Sequence, residues 1–469
     1  MLITNKTKII ATVGPSCMNR TALKRMVSAG VNAFRVNMSH GSQDEKLGII
    51  QLLKQLEMPN KERPCILVDL AGPKIRIRSV INELTLKKGE EINISSKGKA
   101  NKKTVIVSKD IRFSKVKRGA SIKINDGRIQ LKVEKKLSST LLKCTTITGG
   151  HIEKGKGVNF PGITLKLPTL TPQDKKDLKL AIKENVDWIA LSFVRSANDK
   201  NEVDAILQRH KSTIPVIAKV EKWEALQDLN KIITTFDGVM VARGDLGVET
   251  PQEQVPLVQK KIIKNANTLG KPVIIATQML ESMVKDPVPT RAEVSDIANA
   301  IFDGADGLMV TGETAVGEHP VEVIKILKKV ILETEKTIDF DTVRQQIGNQ
   351  TTADAISHAT CQVAQDLSAD CIVTMTHSGS TALMISRYRP NGKVVALTPI
   401  GKTCRVLSLV WGISPFLIGE YKTTEDIPAI VESSLIDKKI IRSGKKYIIT
   451  GGVPVGVSGT TNYLSIQTA

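Results

Sequence analysis

The sequence predicts an α/β architecture: a (β/α)8 TIM barrel with an inserted small antiparallel β-domain and a C-terminal α/β domain. Three observations predict it. Short β-branched runs, eight in number, alternate with helical patterns before residue 338, which is the strand count of such a barrel. One connection, residues 71–168, changes to alternating apolar and polar residues punctuated by Gly, the texture of short antiparallel strands. After Glu335 the pattern restarts with a helix and a fresh set of strands. The predicted division is therefore barrel (1–70 and 169–337), inserted domain (71–168) and C-terminal domain (338–469).

In chain order the barrel runs are TKIIATVG from Thr7, AFRVNMS from Ala33, PCILVDL from Pro64 and DWIALSFV from Asp187. They continue with PVIAKVE from Pro215, DGVMVARGD from Asp237, KPVIIATQ from Lys271 and GLMVTGE from Gly307. Thr171-Pro172 opens the helix that follows the insert. Thr250-Pro251-Gln252-Glu253 reads as a capping box with Pro at the first helical position, and Gly270 stops that helix. Thr290-Arg291-Ala292-Glu293 opens the next helix in the same way. Within the insert, LTLKKGEEINIS, SIKINDGRIQLKVE and LLKCTTITGG alternate as strands do; on the carboxyl rim this domain is expected to act as a lid that excludes water, a purely structural elaboration being the other reading. Beyond Glu335 come a helix over Ala353–Leu367 and the runs DCIVTMTH, KVVALTP, ISPFLI and KKYIIT.

Composition narrows the function class. With 41% hydrophobic and 24% charged residues the 469-residue chain is ordinary for a globular protein. No apolar run approaches the roughly 18 residues of a membrane helix, and the N-terminus lacks a signal-peptide layout, so a cytoplasmic protein with no membrane partner is expected. A net charge of +20 invites a nucleic-acid reading. Lys far outnumbers Arg and aromatics are only 3%, which removes the means of base readout and stacking. No nucleic-acid partner is expected. Six scattered cysteines without a C-x-x-C pair, and six histidines without ligand spacing, fit reduced thiols and no zinc site.

The chemistry concentrates where the buried runs end in charge. PVIAKVE delivers Lys219 and Glu221, and DGVMVARGDLG delivers Arg243 and Asp245. Charge is costly within a strand buried on both faces until the chain emerges. Two such ends together offer two carboxylates, an ammonium and a Gly-rich backbone, which suits a divalent ion holding a phosphorylated acid; either run alone reads equally as a strand with a solvated loop. Applying the same criterion elsewhere adds Arg35, Asn37, Ser39 and His40 after the second strand and Asp69 after the third. It adds Gly244 after the sixth, Thr277 and Gln278 after the seventh, and Thr311 and Glu313 after the eighth. Ser39 or Gln278 alone reads as a satisfied structural polar group. The C-terminal turn Thr376-His377-Ser378-Gly379-Ser380-Thr381, between strand and helix, makes a phosphate cradle or a plain helix cap.

The segments NAFRVNMSHGS, VDLAGPKIRIR, IAKVE, VMVARGDLGVE, IIATQMLESM and PTRAEVSDIANAIFDGADGLMVTGETAVGEHP resemble the pyruvate kinase family. The resemblance extends into the insert (INDG, GVNFPG) and the C-terminal domain (VPVGVSGTTN). It implies phosphoryl transfer from phosphoenolpyruvate to ADP, giving ATP and an enolate protonated to pyruvate. It implies magnesium, or manganese, on Glu221 and Asp245, with Lys219 and Arg35 at the phosphoryl group. The amides of Gly244 and Asp245 would take the substrate carboxylate. Thr277 would order proton delivery, with Thr311 and Glu313 as relay members. Asn37, His40, Arg76 and Lys156 would lie toward the nucleotide. Thr376, Ser378, Gly379, Ser380 and Thr381 would hold the phosphate of an allosteric effector, and the chain would form a homotetramer.

One departure stands out. The family's potassium pocket corresponds to Asn37, Ser39, Asp69 and the carbonyl of the next residue, usually a hydroxyl one followed by GPEIR; here Leu70 and GPKIR stand there, with Lys74 at the Glu position. An ammonium on a flexible stem can replace a monovalent ion, so activity without potassium is expected. Two other readings remain at this stage. A magnesium-dependent carbon–carbon lyase would not need the lid, Lys219 or Arg76; a catalytically silent regulatory or nucleic-acid-binding protein would not need the carboxylates.

Overall fold

The computed structural model describes residues 5–81, 84–108, 111–338, 351–457 and 459–469. All eight predicted barrel runs are strands: β1 (Lys8–Thr12), β2 (Ala33–Asn37), β3 (Cys65–Asp69), then, after the insert, β13 (Trp188–Leu191), β14 (Val216–Val220), β15 (Gly238–Ala242), β16 (Val273–Ala276) and β17 (Gly307–Val310). They close in the order β1-β17-β16-β15-β14-β13-β3-β2, every pairing parallel. Their outward side chains pack under the surrounding helices through residues such as Ile9, Val36, Val68 and Val239. Alternate residues fill the interior, including Ile10, Leu67, Trp188, Ile217, Met240 and Ile274, and Leu409 of the C-terminal domain plugs the lower end.

The cap expected at Thr290 forms, and the helix expected to open at Thr171 is capped in the same way, each with a reciprocal carboxylate at the third helical position. The cap expected at Thr250 does not. Thr250 ends the preceding short helix, Arg243–Glu249, and its hydroxyl donates to the Leu246 carbonyl at 2.7 Å, a local bond that competes with capping. The next helix starts later, at Val255, with proline in its opening turn. Gly270, at φ +64°, follows its end.

The insert holds β4 (Ile77–Ser79), β5 (Leu84–Leu86), β6 (Glu91–Ser95), β7 (Thr104–Val107), β8 (Ser121–Ile124), β9 (Ile129–Ser138), β10 (Leu141–Thr148), β11 (Gly150–Ile152) and β12 (Val158–Asn159). Seven of them form one sheet, β12-β8-β9-β10-β6-β7-β4, antiparallel except for the parallel pair β6–β7. The Asn125-Asp126-Gly127 turn joining β8 to β9 takes positive φ at all three residues, which these residue types tolerate. The sheet has its own core around Phe113, Phe160, Ile122 and Leu131.

The C-terminal part opens with the helix Thr352–Asp366 and forms a sheet in the order β20-β19-β18-β21-β22, from β18 (Cys371–Met375), β19 (Lys393–Thr398), β20 (Ile413–Leu417), β21 (Lys446–Gly452) and β22 (Thr461–Thr468). The last strand runs antiparallel on the edge and is absent from the sequence reading; half-exposed and polar, TNYLSIQT carries a weak apolar signal. Residues 339–350, at the expected start of this domain, lie outside the described residues, as does Ser458 in the second Gly-rich loop. All six cysteines are free and buried. Among the described residues no helix is long and apolar enough to cross a membrane.

Candidate active site

Side-chain alternation builds the site. Ala33, Leu67, Ala190, Ile217 and Met309 point into the barrel. Two residues further along each strand, Arg35, Asp69, Ser192, Lys219 and Thr311 take the same direction at the carboxyl end. Charge thus replaces hydrocarbon in the last interior layer.

These charges are paired. The Asp69 carboxylate, 1% exposed, accepts from Arg35 Nε at 2.7 Å and from Lys219 Nζ at 3.1 and 3.2 Å. Lys219 also donates to Ser192 Oγ at 2.8 Å and lies 3.1 Å from Glu221 Oε1. Burial would raise the Asp69 pKa, but the Lys219 and Arg35 charges and hydrogen bonds hold it below its ordinary value. Burial would lower that of Lys219, and Asp69 and Glu221 raise it instead. Glu221 is pushed up by burial and by the Asp245 and Asp69 carboxylates, against Lys219. Glu221 and Asp245 are thus close enough for their charges to repel.

Lys74, at the start of the insert, forms an ion pair with Asp245 Oδ1 at 2.7 Å. Its ammonium also stands 5.8 Å from the Phe193 ring centroid. Asp245 lies in the first turn of the helix Arg243–Glu249, directly after β15. There Gly244 N–H donates to Thr277 Oγ1 at 2.9 Å. Thr277 and Gln278 have φ of +69° and +55°, a costly conformation for a β-branched residue. Arg243 holds it: its guanidinium donates to the Thr277 carbonyl at 2.8 and 3.2 Å and to the Gln278 carbonyl at 2.9 Å, and pairs with Asp296.

One cavity of about 210 Å³ gathers Arg35, Asn37, Ser39, His40, Asp69, Lys74, Arg76, Lys219, Glu221, Asp245, Thr277 and Thr311. Six expected residues stand back from it, Arg243 and Gln278 being held in the turn just described. Leu70 is fully buried. Gly244 is covered by Thr277. Glu313 is fully buried behind Thr311, accepting from Thr311 N at 2.6 Å and Leu280 N at 3.0 Å. Lys156 pairs with Glu153 at 3.4 Å on the exposed edge of the insert, where Arg76 donates to the Gly155 carbonyl at 3.0 Å.

The family description "Pyruvate kinase, barrel domain" matches residues 4–324, and "Pyruvate kinase, alpha/beta domain" matches residues 354–467. The chain belongs to the pyruvate kinase family. It is 40% identical over 471 residues to "Pyruvate kinase" of Clostridium acetobutylicum, covering 98% of this chain and 99% of the relative. It is 39% identical over 467 residues to "Pyruvate kinase 2" of Synechocystis sp., covering 98% and 79%. A crystal structure of a pyruvate kinase from Cryptosporidium parvum superposes with a TM-score of 0.91 at 30% identity, covering 99% of this chain and 96% of that one. The enzyme is a phosphotransferase.

Sequence reasoning does not single out three contributors to the pyruvate kinase site. Thr12 Oγ1 accepts from Arg35 Nη1 at 3.2 Å, Ser192 Oγ accepts from Lys219, and Phe193 N donates to Glu221 Oε2 at 2.8 Å. Ser192 is legible in retrospect, two residues past inward-facing Ala190. The role of Phe193 depends on its φ of +58°, which no residue type there announces. In the C-terminal loop, Thr376 Oγ1 accepts from Gly379 N at 2.9 Å, Ser378 Oγ donates to Ser380 Oγ at 3.1 Å, and Thr381 and Thr461 hydroxyls meet at 2.9 Å. The two Gly-rich loops are thus neighbours.

Proposed function

We propose that this enzyme transfers the phosphoryl group of phosphoenolpyruvate to ADP, releasing pyruvate and ATP, with magnesium held by Glu221 and Asp245. The supporting observation is that Glu221 and Asp245 line one cavity and lie close enough for their charges to repel. The donors are oxygens on a rim open to the cavity, and such a set takes a hard divalent cation, with manganese an alternative. Bound there, the ion would neutralise charge on the substrate's carboxylate and phosphoryl oxygens.

The chain's own groups do the rest. Lys219 is held charged and aimed by Asp69 and Ser192, so its ammonium meets the equatorial oxygens of the migrating phosphoryl group without reorganising. Arg35, fixed by the same Asp69, contacts that group from the other side. The first-turn amides of Gly244 and Asp245 receive the substrate carboxylate, which requires Thr277 Oγ1 to release Gly244 N–H. Thr277 then orders proton delivery to the enolate carbon, and buried Glu313 aligns Thr311 behind it. Asn37, His40 and Arg76 line the nucleotide side, with Lys156 on the insert's edge. The loop of Thr376, Ser378, Gly379, Ser380 and Thr381 takes the phosphate of an effector.

Potassium independence belongs to the same proposal. Lys74 already brings an ammonium into the cavity that Asn37, Ser39 and Asp69 line, and that charge is released when Asp245 is given over to the metal. A homotetramer and a cytoplasmic location complete the reading, supported by apolar Leu257 and Phe302 on the barrel's outer helices and by the free thiols. A coupled assay for pyruvate release with phosphoenolpyruvate, ADP and magnesium tests the core claim. ADP-independent release would point to a lyase, and no release to a silent protein.

A further inference from the structure

Three side chains of the insert reach the barrel at a single short helix, Arg243–Glu249. Lys74 pairs with Asp245 at 2.7 Å, in its first turn. Lys123 of β8 donates to the Val248 carbonyl at 2.8 Å. Asn159 of β12 donates through Nδ2 to Glu249 Oε1 at 2.7 Å. That oxygen also accepts from Lys222 Nζ at 2.6 Å, and Lys222 directly follows Glu221. Glu249 therefore joins the insert, the strand end that carries Glu221 and the helix that carries Asp245.

The arrangement is poorly explained as glue. Glu249 is 4% exposed, and its second oxygen is buried with no partner among the described residues. A buried carboxylate with both donors on one oxygen recovers little of its desolvation cost. The geometry is better suited to transmitting position: Asp245 and Glu249 are four residues apart, on one face of the same helix. A displacement of Glu249 by the insert moves Asp245 with it.

We propose that Glu249 is a positioning residue, which couples the seating of the insert, through Asn159, to the spacing of Glu221 and Asp245. The inference rests on the proposed assignment of those two carboxylates to the metal. Asn159 forms the insert's side of the coupling and Lys222 the barrel's.

The test compares Asn159→Ala, Glu249→Ala, Glu249→Gln and the Asn159→Ala/Glu249→Ala double variant with Glu221→Gln as reference. Manganese binding to the full-length protein is followed by electron paramagnetic resonance without substrates, alongside steady-state kinetics. Partners behind metal ligands typically matter by 10–100-fold, so Glu249→Ala and Asn159→Ala are each expected to weaken manganese binding about tenfold. The double variant should be no weaker than Glu249→Ala alone, since both mutations cut one path. Glu249→Gln keeps the accepting oxygen and should recover most of the affinity. Because Asn159 sits in the insert, its variant leaves the barrel's packing untouched should Glu249→Ala fail to fold. If Glu221→Gln abolishes manganese binding while Asn159→Ala binds normally, or if the two losses simply add, the coupling is wrong. If Glu221→Gln binds manganese normally, the metal assignment itself fails.

Discussion

Lys74 and Asp245 form an ion pair of 2.7 Å that ties the start of the insert to the helix following β15. At the Lys74 position the resemblance leads one to expect a glutamate and a potassium ion nearby. Here that position carries an ammonium. It tethers the insert to that helix, and under the proposed reading it also takes the place of the monovalent ion.

Turnover should accordingly be the same, within about twofold, in sodium-only and potassium buffers. Lys74→Glu should make it potassium-dependent, because the carboxylate adds a charge the site must then neutralise with an ion. Rate against potassium concentration for the two proteins checks this; a large stimulation of the unmodified enzyme would remove the claim.

Lys219→Met should lower kcat by about 100-fold or more, the usual size of losing a preorganised charge at the transition state. Asp69 keeps Arg35, so the barrel should fold and bind manganese. Circular dichroism and metal titration check the second half; near-normal phosphoryl transfer would exclude the role given to Lys219.

Arg243→Lys should reduce kcat about tenfold or more while leaving the thermal midpoint little changed. A single ammonium cannot reproduce the guanidinium fork on the Thr277 and Gln278 carbonyls, so the left-handed turn relaxes and Thr277 Oγ1 drifts. Misplacements on that scale are costly to rate. The solvent-isotope effect should grow in the variant if proton delivery becomes limiting.

Stability should depend on alkaline pH through Lys8. This residue is fully buried where the barrel meets the C-terminal domain, and its ammonium donates to the Ile413 carbonyl at 2.8 Å. Burial pulls its pKa from 10.5 down to about 8, against Glu335 and Asp306. Between those values the unfolded chain binds more protons than the folded one, so stability rises with pH through this window. Lys6, also lowered to about 8 by burial, acts in the same direction. Lys8→Met should flatten the rise in denaturation midpoint between pH 8 and 10.5, measured by urea titration.

Much of this protein was legible before any coordinates. The eight runs and their charged ends are local signals, because a strand buried on both faces admits charge only where it leaves the sheet. Arg35, Asp69, Lys219 and Glu221 could therefore be chosen by position alone. The cap at Thr250 went the other way, since two competing partners for one hydroxyl differ by less than sequence pattern resolves.

The order of the runs, their alternation and their charged ends determined the barrel, the inserted sheet and the rim residues, because each follows from short-range burial periodicity. Only the closed structure decided which charges pair. Lys74 meeting Asp245, Ser192 supporting Lys219, and Asn159 reaching Glu249 join segments 27 to 171 residues apart. Such pairings depend on barrel closure and on where the insert comes to rest, and pair energies over those separations leave no periodic trace in the chain.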